Sequence, residues 1–229
     1  MPFVFVNFAM TADGKIAFAN HKFIPFASRR DHEHMMELRA TADAVMSGAR
    51  TVESDGVTLG PGGTKYRRLR LKRGLDEYNL RIIVSGSGSV DTSAEIFKHH
   101  FSPVIVFTTA RISKNKLRRL RAVSDEVKIF GRREINFQAA FRWLRAKWNV
   151  KRLLCEGGGE LHGALVRAGL VDELHLTICP EIFCGRYAPT IADGGNIVNL
   201  ADATQFKLKS ARRFGDELFT VFSAVKAAL

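Results

Sequence analysis

The segment Leu153–Pro180, LLCEGGGELHGALVRAGLVDELHLTICP, constrains the fold more than any other part of this chain. An apolar run enters Glu156-Gly157-Gly158-Gly159, a helical pattern follows at once, and a second apolar run ends the segment. Strand, helix and strand in that order predict a parallel pair joined by a helical crossover. Three glycines at the strand-to-helix switch let backbone amides come close to an anion, and the new helix adds free N–H groups and a positive dipole end. Such a turn suits a pyrophosphate, and Glu156 puts a carboxylate at its mouth. The spacing is Gly157-x-Gly159-x-x-x-Gly163, with His162 where the third glycine of a Rossmann turn would fall, and no Walker A motif is present. By spacing alone the turn is either a nucleotide site or a close helix–sheet contact.

The rest of the chain alternates in the same way. Apolar runs at Phe3–Phe8, Asp43–Ser47, Arg81–Val84, Val104–Thr108, Glu126–Phe130, Arg152–Cys155 and Glu173–Ile178 are predicted strands. Helical patterns cover Arg29–Thr41, with Ser28 as N-cap, Ser113–Arg121, with Ser113 as cap, and Phe137–Lys147, and Thr51-Val52 leads into a short helix. The Gly/Pro-rich stretch Val57–Lys65 reads as loop. Phe206–Arg213 and Leu218–Val225 flank Phe214-Gly215-Asp216-Glu217 as a hairpin. The expected fold is α/β, with a mixed, mostly parallel sheet flanked by helices and an antiparallel C-terminal hairpin.

At 229 residues and 46% hydrophobic, one domain over 1–229 is favoured over two small ones. No apolar run is long enough to cross a membrane as a helix, and the start, MPFVFVNFAMTADGK, lacks the basic and apolar regions of a signal peptide. Cys155, Cys179 and Cys184 form no CxxC pair or metal box, so reduced, mainly buried thiols in a cytoplasmic protein are expected, with no metal. The formal charge is +12, concentrated in Lys65–Arg73 and in Lys114, Lys116, Arg118, Arg119 and Arg121. Solvated surface accounts for most of this, and steering of small phosphates for much of the rest. No RNP-like motif, zinc finger or heptad-bearing basic helix supports nucleic-acid recognition.

Further candidates follow the predicted strands. In open α/β sheets ligands bind beyond the carboxyl ends of the strands. Thr51 and Asp55 come after Asp43–Ser47, and Gly86-Ser87-Gly88-Ser89, after Arg81–Val84, offers small residues and hydroxyls to a ribose or phosphate. Asp13-Gly14 is first of all a turn signal. Arg39 is either a solvated helix cation or a planar fork for a substrate phosphate.

Four segments together resemble a known family: Asn7–Ala17 (NFAMTADGKIA); Leu38-Arg39-Ala40 with Asp43-Ala44-Val45-Met46; Gly48–Val52; and Glu156-Gly157-Gly158 through Gly169–Leu174. In order and spacing they are similar to the reductase domain of riboflavin biosynthesis, a dihydrofolate-reductase-like fold. The opening is closest to the stand-alone archaeal and fungal type, with no zinc deaminase domain before it. The resemblance implies reduction by NADPH, NADH being the alternative, of a ribosylaminopyrimidine 5′-phosphate to its ribityl product. The archaeal-like start favours the diamino substrate. The resemblance also implies a homodimer and a set of contacts. Ala9, Thr51, Asp55, Gly86, Gly158, Gly159, Glu160, Leu161, His162, Gly163 and Ala164 would touch the cofactor. Arg39, Leu59 and Glu156 would touch substrate, with Glu156 as the catalytic group and Arg39 on the phosphate.

Two segments depart from the family. Where it usually reads Asp-Asp-Pro-x-Leu-Thr-x-Arg, this chain has Asp55–Gly62 (DGVTLGPG), without the closing arginine; Arg67 and Arg68 are the candidates to replace it. Where it has Val-Asp-Ser, this chain has Val84-Ser85-Gly86, and Arg111 is the candidate cation for a 2′-phosphate. The alternatives are a dihydrofolate-reductase-like enzyme for a pterin, folate or other compound, and, in another class, a basic nucleic-acid-binding protein.

Overall fold

The computed structural model of the chain describes residues 1–20, 24–53, 56–195 and 197–225. In chain order, β1 (Phe3–Thr11) leads to α1 (Arg29–Arg39), β2 (Ala44–Gly48), α2 (Ala49–Val52), α3 (Thr64–Lys72) and β3 (Leu80–Val84). Then come α4 (Glu95–Lys98), β4 (Val104–Thr108), α5 (Lys114–Val123), β5 (Glu126–Ile129), α6 (Phe137–Trp148) and β6 (Arg152–Cys155). The chain ends with α7 (Gly159–Arg167), β7 (Glu173–Cys179), β8 (Phe206–Phe214) and β9 (Glu217–Ala224). It divides into two compact units. One holds Met1–Phe3 and Met36–Glu156; the other holds Val4–Met35 and everything from Gly157 on.

In the first unit five strands pair in parallel in the order β5-β4-β3-β2-β6. The register places Ile82 of β3 beside Met46 on one side and Ile105 on the other. Strands β2, β3 and β4 are apolar almost throughout because both faces are covered: Val45, Met46, Ile82, Ile83, Ile105 and Val106 are fully buried. In the second unit β1 and β7 pair in parallel, β9 runs antiparallel to β7, and β8 pairs with β9 through a bulge between Leu208 and Ser210. The α/β class, the mostly parallel pairing and the antiparallel hairpin are as the sequence predicts.

Differences lie in the polar segments. The Lys65–Arg73 cluster is largely the helix α3, and one of its cations is not surface. Arg70 is 1% exposed; its Nη1 donates to the carbonyls of Arg39 (2.8 Å) and Ala42 (2.5 Å), and Arg73 adds a bond to Ala40 O at 3.2 Å. The last carbonyls of a helix have no partner within it, and these cations supply one for α1. Arg81, also 1% exposed, donates to the carbonyls of Ile96, His99 and Ser102 and stacks 4.2 Å over Phe101. Burial lowers the Arg81 guanidinium to about 10, with Asp125 opposing. Of the cysteines, Cys155 and Cys179 are buried, but Cys184 is exposed.

Candidate active site

In the first unit Glu156 stands just past the carboxyl end of β6, where its N–H extends the ladder to Met46 O at 2.9 Å. Its carboxylate meets Arg39, the last residue of α1. The helical repeat that turns Met36 and Leu38 inward turns Arg39 inward too. The contact is two-pronged: Arg39 Nε donates to Oε1 at 2.7 Å and Nη2 to Oε2 at 2.6 Å, while Nη1 donates to Gly60 O at 2.6 Å. The side chains are 9% and 5% exposed. Sequence reasoning treats Arg39 and Glu156 as separate contacts; the fold makes them one buried pair, with each of the three guanidinium nitrogens of Arg39 donating a bond.

The same fork steadies a strained segment. Leu59 lies in the left-handed region at φ 55° and is 1% exposed, with its carbonyl accepting from Asn79 Nδ2 at 2.9 Å. A bulky residue there costs on the order of 1–3 kcal/mol and persists only when its surroundings hold it. Thr51 is half-buried on α2. Gly86 is exposed beyond β3, its carbonyl pinned by Thr109 Oγ1 at 2.6 Å. Lys116 Nζ donates to Ser89 Oγ at 2.5 Å, beside a cavity of about 220 Å³ that Glu53, Asp91 and Arg119 also line. Asp55 lies outside the described residues.

In the second unit the glycine turn has two distinct parts. Gly157 (φ 153°) and Gly158 (φ 81°) take the backbone to the start of α7, and no side chain caps that helix. Gly159 and Gly163 answer a packing demand. A Cβ on Gly159 would stand 2.3 Å from Thr190 O, and one on Gly163 would stand 2.1 Å from Asp193 O. The segment Thr190–Asp193 lies against them, with Asp193 N–H on Gly159 O at 2.9 Å. His162 is 1% exposed; its Nδ1 donates to Ile191 O, and its ring packs on Phe8 at 5.2 Å. Burial lowers its pKa, which keeps the ring neutral, with the Ile191 bond opposing. Leu161 is buried, Ala164 half-buried and Glu160 exposed. What this turn can offer an anion is therefore the uncapped first-turn amides of α7, with Gly158 giving the close approach. A pyrophosphate fits that description.

Ala9, half-buried on β1, is opposite Thr177 of β7. Past these strands Asp13 ties two loops: it takes the N–H groups of Phe183 (3.2 Å) and Cys184 (2.8 Å) and the Thr11 hydroxyl at 2.5 Å. Those bonds, the Thr11 one foremost, hold its carboxyl below the usual range. One group of residues escapes the sequence reading. Within Glu173–Cys179 every second residue is polar, so Glu173, His175, Thr177 and Cys179 share one face, all buried. Period-two reading of ELHLTIC would have exposed a polar face on a strand that looks apolar as a whole.

Among the described residues no group of histidine, cysteine or carboxylate side chains could hold a metal, and no helix is long and apolar enough to cross a membrane.

The protein has clear relatives. A reductase of 2,5-diamino-6-ribosylamino-4(3H)-pyrimidinone 5′-phosphate from Archaeoglobus fulgidus is 34% identical over 194 residues, covering 84% of this chain and 87% of that one. One of the same name from Methanothermobacter thermautotrophicus is 29% identical over 222 residues, 97% and 98% of the two chains. Among solved structures, a pyrimidine reductase-like protein of Corynebacterium diphtheriae shares the fold with a TM-score of 0.80 at 23% identity, covering 99% of this chain and 93% of that one. Acinetobacter baumannii RibD does so at 0.76 and 19%, with 98% of this chain spanning 58% of that one. The family model described as the RibD C-terminal domain matches residues 2–220, and this chain belongs to that family.

Proposed function

We propose that this protein is an NADPH-dependent reductase that converts the ribosyl group of 2,5-diamino-6-ribosylamino-4(3H)-pyrimidinone 5′-phosphate to a ribityl chain. The supporting observation is the match, over 84% to 97% of the chain, to two archaeal reductases that carry this substrate in their name. The bound nicotinamide would supply a hydride to C1′ of the opened sugar. The protein supplies placement. First-turn amides of α7 behind Gly158 would hold the pyrophosphate, and Ala9 the nicotinamide end. Thr51, Asp55 and Gly86 are the further cofactor contacts. Lys116, on Ser89, favours NADPH over NADH because it sets a cation on the loop that begins at Gly86.

Glu156 would meet substrate, with Leu59 lining its surroundings. The Arg39 fork holds both Glu156 oxygens at 2.6–2.7 Å and so keeps the carboxylate in one orientation. Residues 1–229 act as one reductase domain, and a homodimer in the cytoplasm completes the reading.

The test is turnover. Purified protein mixed with NADPH and the diamino ribosylaminopyrimidine phosphate should lose nicotinamide absorbance and yield the ribityl product by mass. No consumption with this substrate, alongside consumption with a pterin or a deaminated pyrimidine, overturns the substrate assignment.

A further inference from the structure

The polar face of β7 lies beneath the first turns of α1, where His34 approaches His175 with ring centres 5.6 Å apart. Two carboxylates meet this face, and their surroundings differ. Glu217, at the start of β9, accepts from Ser28 N–H at 2.6 Å, from the Ser28 hydroxyl at 2.5 Å and from the Cys179 thiol at 3.6 Å. Asp31, in the first turn of α1, has its Oδ1 shut off from solvent without a hydrogen-bond partner. The Thr177 hydroxyl beside it is 1% exposed and makes no bond of good geometry either. Burial above all pushes the Asp31 carboxyl up; Thr177 draws it down, the charge of Glu217 raises it further, and His32 on the same helix opposes. The Cys179 thiol, which burial keeps protonated, feels the charges of Glu217, Asp31 and Glu181, and the Oε2 of Glu181 is also buried without a partner.

Glu217 has three donors, whereas burial raises the Asp31 carboxyl above the usual carboxylate range and so favours its protonated form. Place matters as much. Thr177 is directly opposite Ala9 in the β1–β7 register, and Ala9 is the proposed nicotinamide contact. Asp31 as a residue is half-buried.

We propose that Asp31 is the proton donor of the reduction and that Thr177 positions its acid. This rests on the functional reading above. The C1′–O4′ bond of the ribosylamine breaks as O4′ takes the proton from Asp31, and the electron pair of the exocyclic nitrogen forms the C1′=N bond. The resulting iminium accepts a hydride from the reduced nicotinamide at C1′ and becomes the amine. Asp31, left as carboxylate, regains a proton from solvent.

The experiment joins a spectrum to kinetics. The ligand-free protein at neutral pH should show the infrared band of a protonated carboxyl, and Asp31→Asn should lose it. With NADPH and the diamino substrate, Asp31→Asn should lower kcat by roughly 100-fold or more and leave NADPH binding within about twofold. Wild-type kcat should fall as pH rises through the raised carboxyl value, because only the protonated form donates, and the variant should lose that limb. Thr177→Val should share part of the loss, and Thr177→Ser should restore it. A wild type without the band, or an Asp31→Asn protein with undiminished kcat, overturns the donor role alone. A wild type that consumes no NADPH with this substrate overturns the functional reading and the donor role with it. Should Asp31→Asn not fold, Asp31→Glu must keep the band and shift the pH limb; an unshifted limb overturns the proposal.

Discussion

Arg39 and Glu156 carry opposite full charges within a site less than a tenth exposed, and each is the other's main partner. Removing either leaves a buried charge alone, a loss of about 3–5 kcal/mol. Arg39→Ala should therefore lower stability by that amount in denaturant titrations. Glu156→Gln keeps shape and one acceptor, so it should lose less stability while turnover falls far more than NADPH affinity. Equal losses of turnover and NADPH affinity in Glu156→Gln would remove it from the substrate side. Both residues stand out in the sequence, yet their pairing does not, because the 117 positions between Arg39 and Glu156 separate them only along the chain. Asp31 was illegible for a different reason. A lone acid in a helix's first turn is ordinary dipole chemistry; only the face of β7 shows that it is enclosed.

At the scale of elements, apolar periodicity carried the prediction, and polar segments escaped it. Strands β2, β3 and β4 are apolar on both faces and were legible to within a residue or two. Helix α3 was not, since TKYRRLRLK follows a Gly/Pro-rich stretch and looks like a solvated charge run. What makes it an element of the core is Arg70, whose guanidinium binds Arg39 O and Ala42 O at the end of α1. Arg70→Ala should cost about 3 kcal/mol, because it strands buried carbonyls. Arg70→Lys should recover little, because one ammonium cannot reproduce the fork's donors to Arg39, Ala42 and Asp76. Equal stability of Arg70→Lys and wild type would refute the capping role. The glycine turn was half legible. Gly157 and Gly158 have the freedom the turn needs, whereas Gly159 and Gly163 make room for Thr190–Asp193. That packing could not be foreseen from a segment some thirty residues away with no periodicity of its own.

For the whole molecule the +12 charge invites a nucleic-acid reading, but part of it is spent inside the fold. Arg39, Arg70 and Arg81 are buried and bound to carboxylate or carbonyl oxygens. The remaining positive field attracts any polyanion, and duplex DNA held by it alone would dissociate as salt rises. A nucleotide held by directed amides and a bound nicotinamide would not. Ligand at about 100 times its dissociation constant stabilises the native state by about 2.7 kcal/mol, which for a chain of this size is a rise of roughly 5–10 °C in Tm. NADPH should produce that rise at physiological salt and duplex DNA of equal phosphate concentration should not. Lys116→Ala should reduce the NADPH shift and leave the smaller NADH shift in place, since NADH lacks the 2′-phosphate that this cation would meet. A DNA shift that survives physiological salt, beside no shift from either nicotinamide, would transfer the basic surface from steering a cofactor to binding nucleic acid.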